Sequence, residues 1–309
     1  MAMIYDETIQ DNFSFVRNFV TSYKLENPVA DFIAPPFRVK LEAGKYLEYT
    51  KTVLRIFDDK ISGEEEAKEI QWDVDEATYA CEEYGMGKFV SDKKKAQAIA
   101  PIRLDVDAGK MIKQFHALAR EYRINAIAGN AAIVTQTAPI ASAWNAAAGL
   151  PITNLLTAIE TIATATGKMA NSVVIPLRVA IKMIQCTQWT DQFKYTEAGF
   201  KNGLWRAIDG LKQLGLTALV TNVQGLSEYK CTASDPKAET LWDDNVLVFY
   251  REPVPTTETR TFMFSPYVKK DFTYSTRVPR RRGVYHDIYS DIDELLVDAQ
   301  CAYLLTNCL

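Results

Sequence analysis

Apolar residues recur at intervals of three and four between Asp105 and Ala128: Met111, Ile112, Phe115, Leu118, Ala119, Tyr122 and Ile127. That period predicts an amphipathic helix capped by Asp105 or Asp107, roughly 35 Å long at about 1.5 Å per residue. Such a rod could brace a whole subunit. A second helix is predicted from Pro151, burying Ile152, Leu155, Leu156, Ile159 and Ile162 and stopping at Gly167. Proline fits the first helical position, whose N–H would lack a partner anyway, and glycine fits the exit.

Beyond it, Val173, Val174 and Ile175 read as a short buried strand. Pro176 opens a third helix ending near Cys186, and Leu204, Trp205, Ile208 and Leu211 mark a fourth. Strands are predicted elsewhere, by period-two alternation in the first case below and by runs of strand-favouring residues in the tail. Phe37, Val39 and Leu41 precede a turn at Ala43-Gly44. Later come Val246 to Tyr250, Phe262 with Phe264, Phe272 with Tyr274, and Leu295 to Leu305. Helices and strands mixed in this way, with no internal repeat, predict an α+β layer architecture.

Charge alters the picture locally. From Arg55 to Glu83 three basic residues face eleven acidic ones, a net of −8. Charges this dense repel one another and resist burial, so the segment should project as an extended loop or hairpin. It is either a solvated loop or a surface awaiting a basic partner. The first 34 residues carry Phe13, Phe15, Phe19 and Tyr23 before a break at Asn27-Pro28. They read either as a short amphipathic helix docked on its own core or as an arm reaching another subunit.

The whole chain, 309 residues with 35 Lys plus Arg against 39 Asp plus Glu, has a net charge of −4. Length sets a prior of about two domains and allows a sizeable core. Mild acidity gives no general attraction to DNA or anionic membranes. The stretch Ile124 to Ile159 has no charge, but Asn125, Asn130, Gln136, Pro139, Asn145 and Pro151 interrupt or bound it. A spanning helix needs roughly 20 unbroken apolar residues, so no membrane span is expected. The opening MAMIYDETIQ has no cationic segment before an apolar one, so no export signal is expected. Cys81, Cys186, Cys231, Cys301 and Cys308 are odd in number and lack CxxC spacing, which predicts reduced, mostly structural thiols.

Catalytic motifs are missing: there is no phosphate loop, GxGxxG turn, HExxH or GxSxG. Of the two histidines, His116 reads as a surface or interface residue rather than a general base. His286 beside Asp287 could make an orienting pair, but neighbours on a strand point to opposite faces.

The stretch EYGMGKFVSDKKKAQAIAPIRLDVDAGKMIKQFHALAREYRINAI, Glu83 to Ile127, resembles major capsid proteins of tailed bacteriophages. Their extended loop returns through a similar EY-plus-V-[ST]-D phrase into a long spine helix with an R-E-x-R ending, matched here by Arg120-Glu121-Tyr122-Arg123. TGKMANSVVIPLRVAIKMI (Thr166 to Ile184), TLWDDNVLVFYREP (Thr240 to Pro253) and the closing DAQCAYLLTNCL resemble further phrases of the family, in the same order. Trp144-Asn145-Ala146 departs from the family's W-[ST]-D.

The resemblance implies an α+β Hong Kong 97-like fold. Its parts would be an N-terminal arm (1–34), an extended E-loop (35–99), a P-domain with the spine helix (100–150), an A-domain (151–254), and return strands with the C-terminus (255–309). It implies a structural protein of the virion, assembled in the host cytoplasm, with no enzymatic activity, cofactor or metal. Partners would be further copies in hexamers and pentamers, portal, scaffolding or decoration proteins, and packaged DNA held without sequence specificity. Inter-subunit contact candidates are Phe13, Phe15 and Phe19 in the arm, and Glu64, Glu65, Glu66 and Glu69 in the acidic loop. Basic candidates are Lys110, Lys113, Arg120 and Arg123 on the long helix, with Arg280, Arg281 and Arg282 in the tail. Two rivals stand beside this reading: an encapsulin-like compartment holding a protein cargo, and a carboxylate-based hydrolase using Glu64 to Glu83.

Overall fold

The computed structural model describes residues 29–49, 74–97, 103–146, 148–194, 204–225, 239–256 and 258–309, with positions 56, 59, 60 and 69. Two five-stranded sheets organise them. The first has the order β1 (Pro36–Arg38), β11 (Met263–Val278), β12 (Gly283–Ile292), β4 (Glu82–Ser91), with β13 (Leu295–Leu296) on one end of β11. Along β12 the side chains alternate: Val284, His286, Ile288, Ser290 and Ile292 are buried while the residues between them are half-buried. The buried row lies under α3 (Leu104–Ala128), which crosses β12 and β4. The opposite face of these strands carries Phe89, Tyr285, Tyr289 and Tyr274.

The second sheet has the order β5 (Thr137–Pro139), β14 (Ala302–Thr306), β10 (Val246–Phe249), β6 (Ser172–Pro176), β7 (Thr217–Thr221). Every residue of β6 and β10 is buried, so both faces are covered. On one face Val173, Ile175, Val246 and Val248 meet α4 (Pro151–Thr166), α5 (Leu177–Gln185), α6 (Thr187–Phe193) and α7 (Leu204–Gln213). On the other face Val174, Leu247, Phe249 and Leu304 share a core with Ile33 of α1 (Ala30–Ile33) and with Ile124 and Ala128 of α3. That second core fastens the two sheets together. Truncating one of its fully buried side chains, such as Ile124 or Phe249, to alanine costs about 2–5 kcal/mol.

Several expected boundaries hold. Helix α4 starts at Pro151 and ends at Gly167, whose φ of 71° is a left-handed exit that glycine adopts without a Cβ penalty. Helix α5 begins just after Pro176, and α7 begins at Leu204. The long helix is also present, but its first residues lack the expected Asp cap, since Arg103 is the N-cap and makes no side-chain bond there. Asp105 is used elsewhere, as described below.

Other expectations need correction. Ala43 and Gly44 are not a turn; they open β2 (Ala43–Tyr49), which pairs with β3 (Val74–Ala80). A Cβ on Gly44 would lie 2.6 Å from the Tyr79 hydroxyl, so the glycine lets that ring cross the strand. The run Leu295 to Leu305 is not one strand. A 3-10 turn at Ala299–Cys301 breaks it, and its second half, β14, enters the second sheet between β5 and β10. Strands β1 and β4 are the edges of the sheet that carries α3. Among the described residues, β2 with β3 and β8 (Gln224–Gly225) with β9 (Glu239–Thr240) form two pairs outside both large sheets. No helix among the described residues is long and apolar enough to cross a membrane.

Candidate assembly site

One turn of α3 gathers most of the buried charge. The line Ala108, Ile112, His116, Arg120 and Ile124, spaced four apart, is buried. Arg120 donates from Nη1 to the Asp31 carboxylate and from Nη2 to the Ala34 carbonyl and Ser265 Oγ, both at 3.3 Å. Glu121, 1% exposed, accepts the Ala30 N–H through Oε1 at 2.8 Å. That N–H opens α1, where helix donors have no partner of their own. Arg123 grips Glu294 with two parallel bonds, Nε at 3.0 Å and Nη2 at 2.8 Å. Its guanidinium also lies 3.7 Å from the centre of the Tyr84 ring. The Arg-Glu-x-Arg sequence is therefore a clamp. It holds α1 against β4, β11 and the Asp293-Glu294 link.

The clamp sets the protonation of its members. Burial pulls the Asp31 carboxyl up, but Arg120 and Lys270, whose Nζ lies 3.0 Å away, outweigh it and hold it below the ordinary carboxylate value. For Glu121 burial wins over the Ala30 and Val29 N–H groups, and the carboxyl is pushed up to about 7.

A second polar set fastens the start of α3. His286, 3% exposed, places Nε2 2.9 Å from Asp105 Oδ1 and Nδ1 2.8 Å from Ser275 Oγ. Lys95 of α2 (Asp92–Gln97) adds a 2.8 Å ion pair to the same Asp105 oxygen. Burial alone would raise the Asp105 carboxyl; the bonds from His286 and Lys95 lower it. With the imidazole enclosed, this set ties α2, α3 and the sheet together. Asp287 points to the other face, as strand geometry requires. His116 corrects the surface reading. It is buried, its Nε2 is 2.9 Å from Ser290 Oγ, and burial lowers its pKa.

The remaining contact candidates divide. Phe13, Phe15, Phe19, Glu64, Glu65 and Glu66 lie outside the described residues, and Glu69 is exposed. Lys113 lies 3.9 Å from Asp271, and its side chain is largely covered. Arg120 and Arg123 are paired with carboxylates of their own chain, Asp31 and Glu294. Nothing in the helix period marked Asp31 or Glu294 as their partners. Arg280, Arg281 and Arg282 are exposed on the turn between β11 and β12, with Arg281 4.5 Å from the centre of the Phe89 ring.

The thiols at Cys186, Cys301 and Cys308 are free and buried, and that at Cys81 is free and half-buried; Cys231 lies outside the described residues. Burial raises Cys81 to about 11 and Cys308 to about 12. No cluster of histidine, cysteine or carboxylate side chains suited to a metal occurs among the described residues.

No family model matches the sequence, and no curated protein matches it. Solved structures do match the fold. A phage-related protein from Bordetella bronchiseptica superposes with a TM-score of 0.70 at 18% identity, covering 96% of each chain. The mature capsid of bacteriophage PhiM1 gives 0.56 at 9% identity, over 93% of this chain and 89% of that one. A virus-like particle from Pyrococcus furiosus gives 0.51 at 8%, over 94% and 96%. The class so defined is the α+β fold of Hong Kong 97-like phage capsid proteins. This chain has that fold.

Proposed function

We propose that this chain is a major capsid protein, a structural subunit that assembles with copies of itself into the head shell of a tailed phage around double-stranded DNA. The observation that carries this reading is the match of the fold to the mature capsid of bacteriophage PhiM1 across 93% of the chain, beside the match to a phage-related protein across 96% of it. The clamp supports it. A subunit whose arm must hold a neighbour needs the root of that arm tied rigidly to its own body, and Arg120 and Glu121 tie it at Asp31 and Ala30. The function is then to repeat one set of contacts under closed symmetry, with each subunit held by several neighbours at once. Its place is the virion, its main partner is itself, and its role is assembly rather than catalysis.

An encapsulin-like compartment is the second reading, favoured by the likeness to the virus-like particle from Pyrococcus furiosus. Electron microscopy of the purified protein tests the shell, with uniform closed particles expected. Only monodisperse monomers under all assembly conditions would refute it. Nuclease-protected DNA inside native particles is expected for the phage head, whereas a co-purifying cargo protein without DNA would favour the compartment.

A further inference from the structure

Strand β4 is one of the two edges of its sheet and pairs with β12 through ten consecutive residues, without a register shift. It contains no proline and no bulge, the usual devices that blunt an exposed edge. Among the described residues no backbone group pairs with its outer side, so about every second residue presents its N–H and C=O outward. Glu82, Glu83, Met86 and Lys88 along it are exposed.

A separate feature adjoins this edge. Met111, Phe115 and Tyr122 of α3 are 41%, 51% and 61% exposed. At about 100° per residue they fall within about 40° of one another on the helix. Lys88 Nζ lies 2.9 Å from Met111 Sδ, which puts this stripe on the β4 side of the helix. The clamp to α1, through Glu121, lies on the other side.

From these two features we infer that β4 is a self-pairing edge, at which a second copy of the chain docks antiparallel across a two-fold axis to continue the sheet. Antiparallel neighbours put directly opposed residues on one face, and the register centred on Gly85 is self-complementary. It sets Glu82 opposite the partner copy's lysine at position 88, twice, and Tyr84 opposite methionine 86, twice. Since α3 lies over both β4 and β12, its two-fold mate would lie about 10 Å away, given strand spacings of about 4.8 Å. That is the separation of packed helices. The stripe of Met111, Phe115 and Tyr122 would then be covered by its own copy. This inference takes its setting from the shell reading, and the test separates the two.

The full chain carrying Glu82→Cys with Lys88→Cys is assembled and oxidised, beside the parent with its native cysteines. Disulfide-linked dimers of the double variant, absent from the parent, are the expected result, with a link between positions 82 and 88 found by peptide mass spectrometry. Independently, Glu82→Lys and Lys88→Glu should each lower assembly yield about tenfold, and combining them should restore it within about threefold. Phe115→Asp, at a half-exposed site, should block docking while leaving the subunit's circular dichroism unchanged. Shells that form with no 82–88 link, or links from these positions to residues 1–73 or to another protein, overturn self-pairing and leave the shell reading intact. Linked dimers from a chain that never closes into particles would support the edge and sink the shell.

Discussion

Glu121 is a carboxylate sealed in the protein beside a helix start, and replacing it with glutamine isolates the energetic cost of its charge. Glutamine keeps the shape and an oxygen to accept the Ala30 N–H, and it removes only the titration. The rise from the ordinary 4.5 to about 7 corresponds to about 3 kcal/mol between the charged and neutral forms. The folded state binds the proton more tightly than the unfolded chain. Protonation therefore stabilises the fold fully below about pH 4.5, and that stabilisation is lost as pH rises to about 7. The Glu121→Gln variant has no such window. The assay is urea unfolding of the unassembled full chain, followed by tryptophan fluorescence between pH 4.5 and 7.5. Parent stability minus variant stability should fall by about 3 kcal/mol across that range, because shifts at other groups cancel in the difference. A difference that stays constant within about 0.5 kcal/mol would refute the buried-charge account of the clamp.

Glu294→Ala leaves Arg123 without its two-bonded partner in a partly buried place, so unfolding should become about 3 kcal/mol easier by the same urea assay. Deleting residues 1–27 should leave a folded subunit that assembles poorly, measured by sedimentation; normal shells from the truncated chain would show that the arm is dispensable. Arg281→Glu, on an exposed turn, should leave the melting temperature unchanged and block assembly, and the parent's assembly should weaken as salt is raised. Equal assembly by parent and variant at low and high salt would make the three arginines spectators.

Local rules decided more of this protein than its weak overall similarity suggests. Pro151 and Gly167 bound a helix because a missing donor and a left-handed exit are properties of single residues. The short continuous apolar runs of β6 and β10 likewise read directly as buried strands. The long helix was legible from its period, but its buried side was not. Met111, Phe115 and Tyr122 carry the apolar spacing and lie half out in solvent, while His116, Arg120 and Glu121 lie inside. A hydrophobic period records which residues favour burial, not which side of the helix the rest of the chain will cover. The inward charges are tolerated only because Asp31, Ser265, Ser290 and Glu294 arrive to meet them, and these stand 89 to 174 positions away. Sheet membership was hidden for the same reason. Strand β14 lies next to β13 in sequence and in a different sheet, because strand pairing is satisfied by any edge within reach. Sequence determined the elements; long-range pairing of charges and strand edges decided which faces they show.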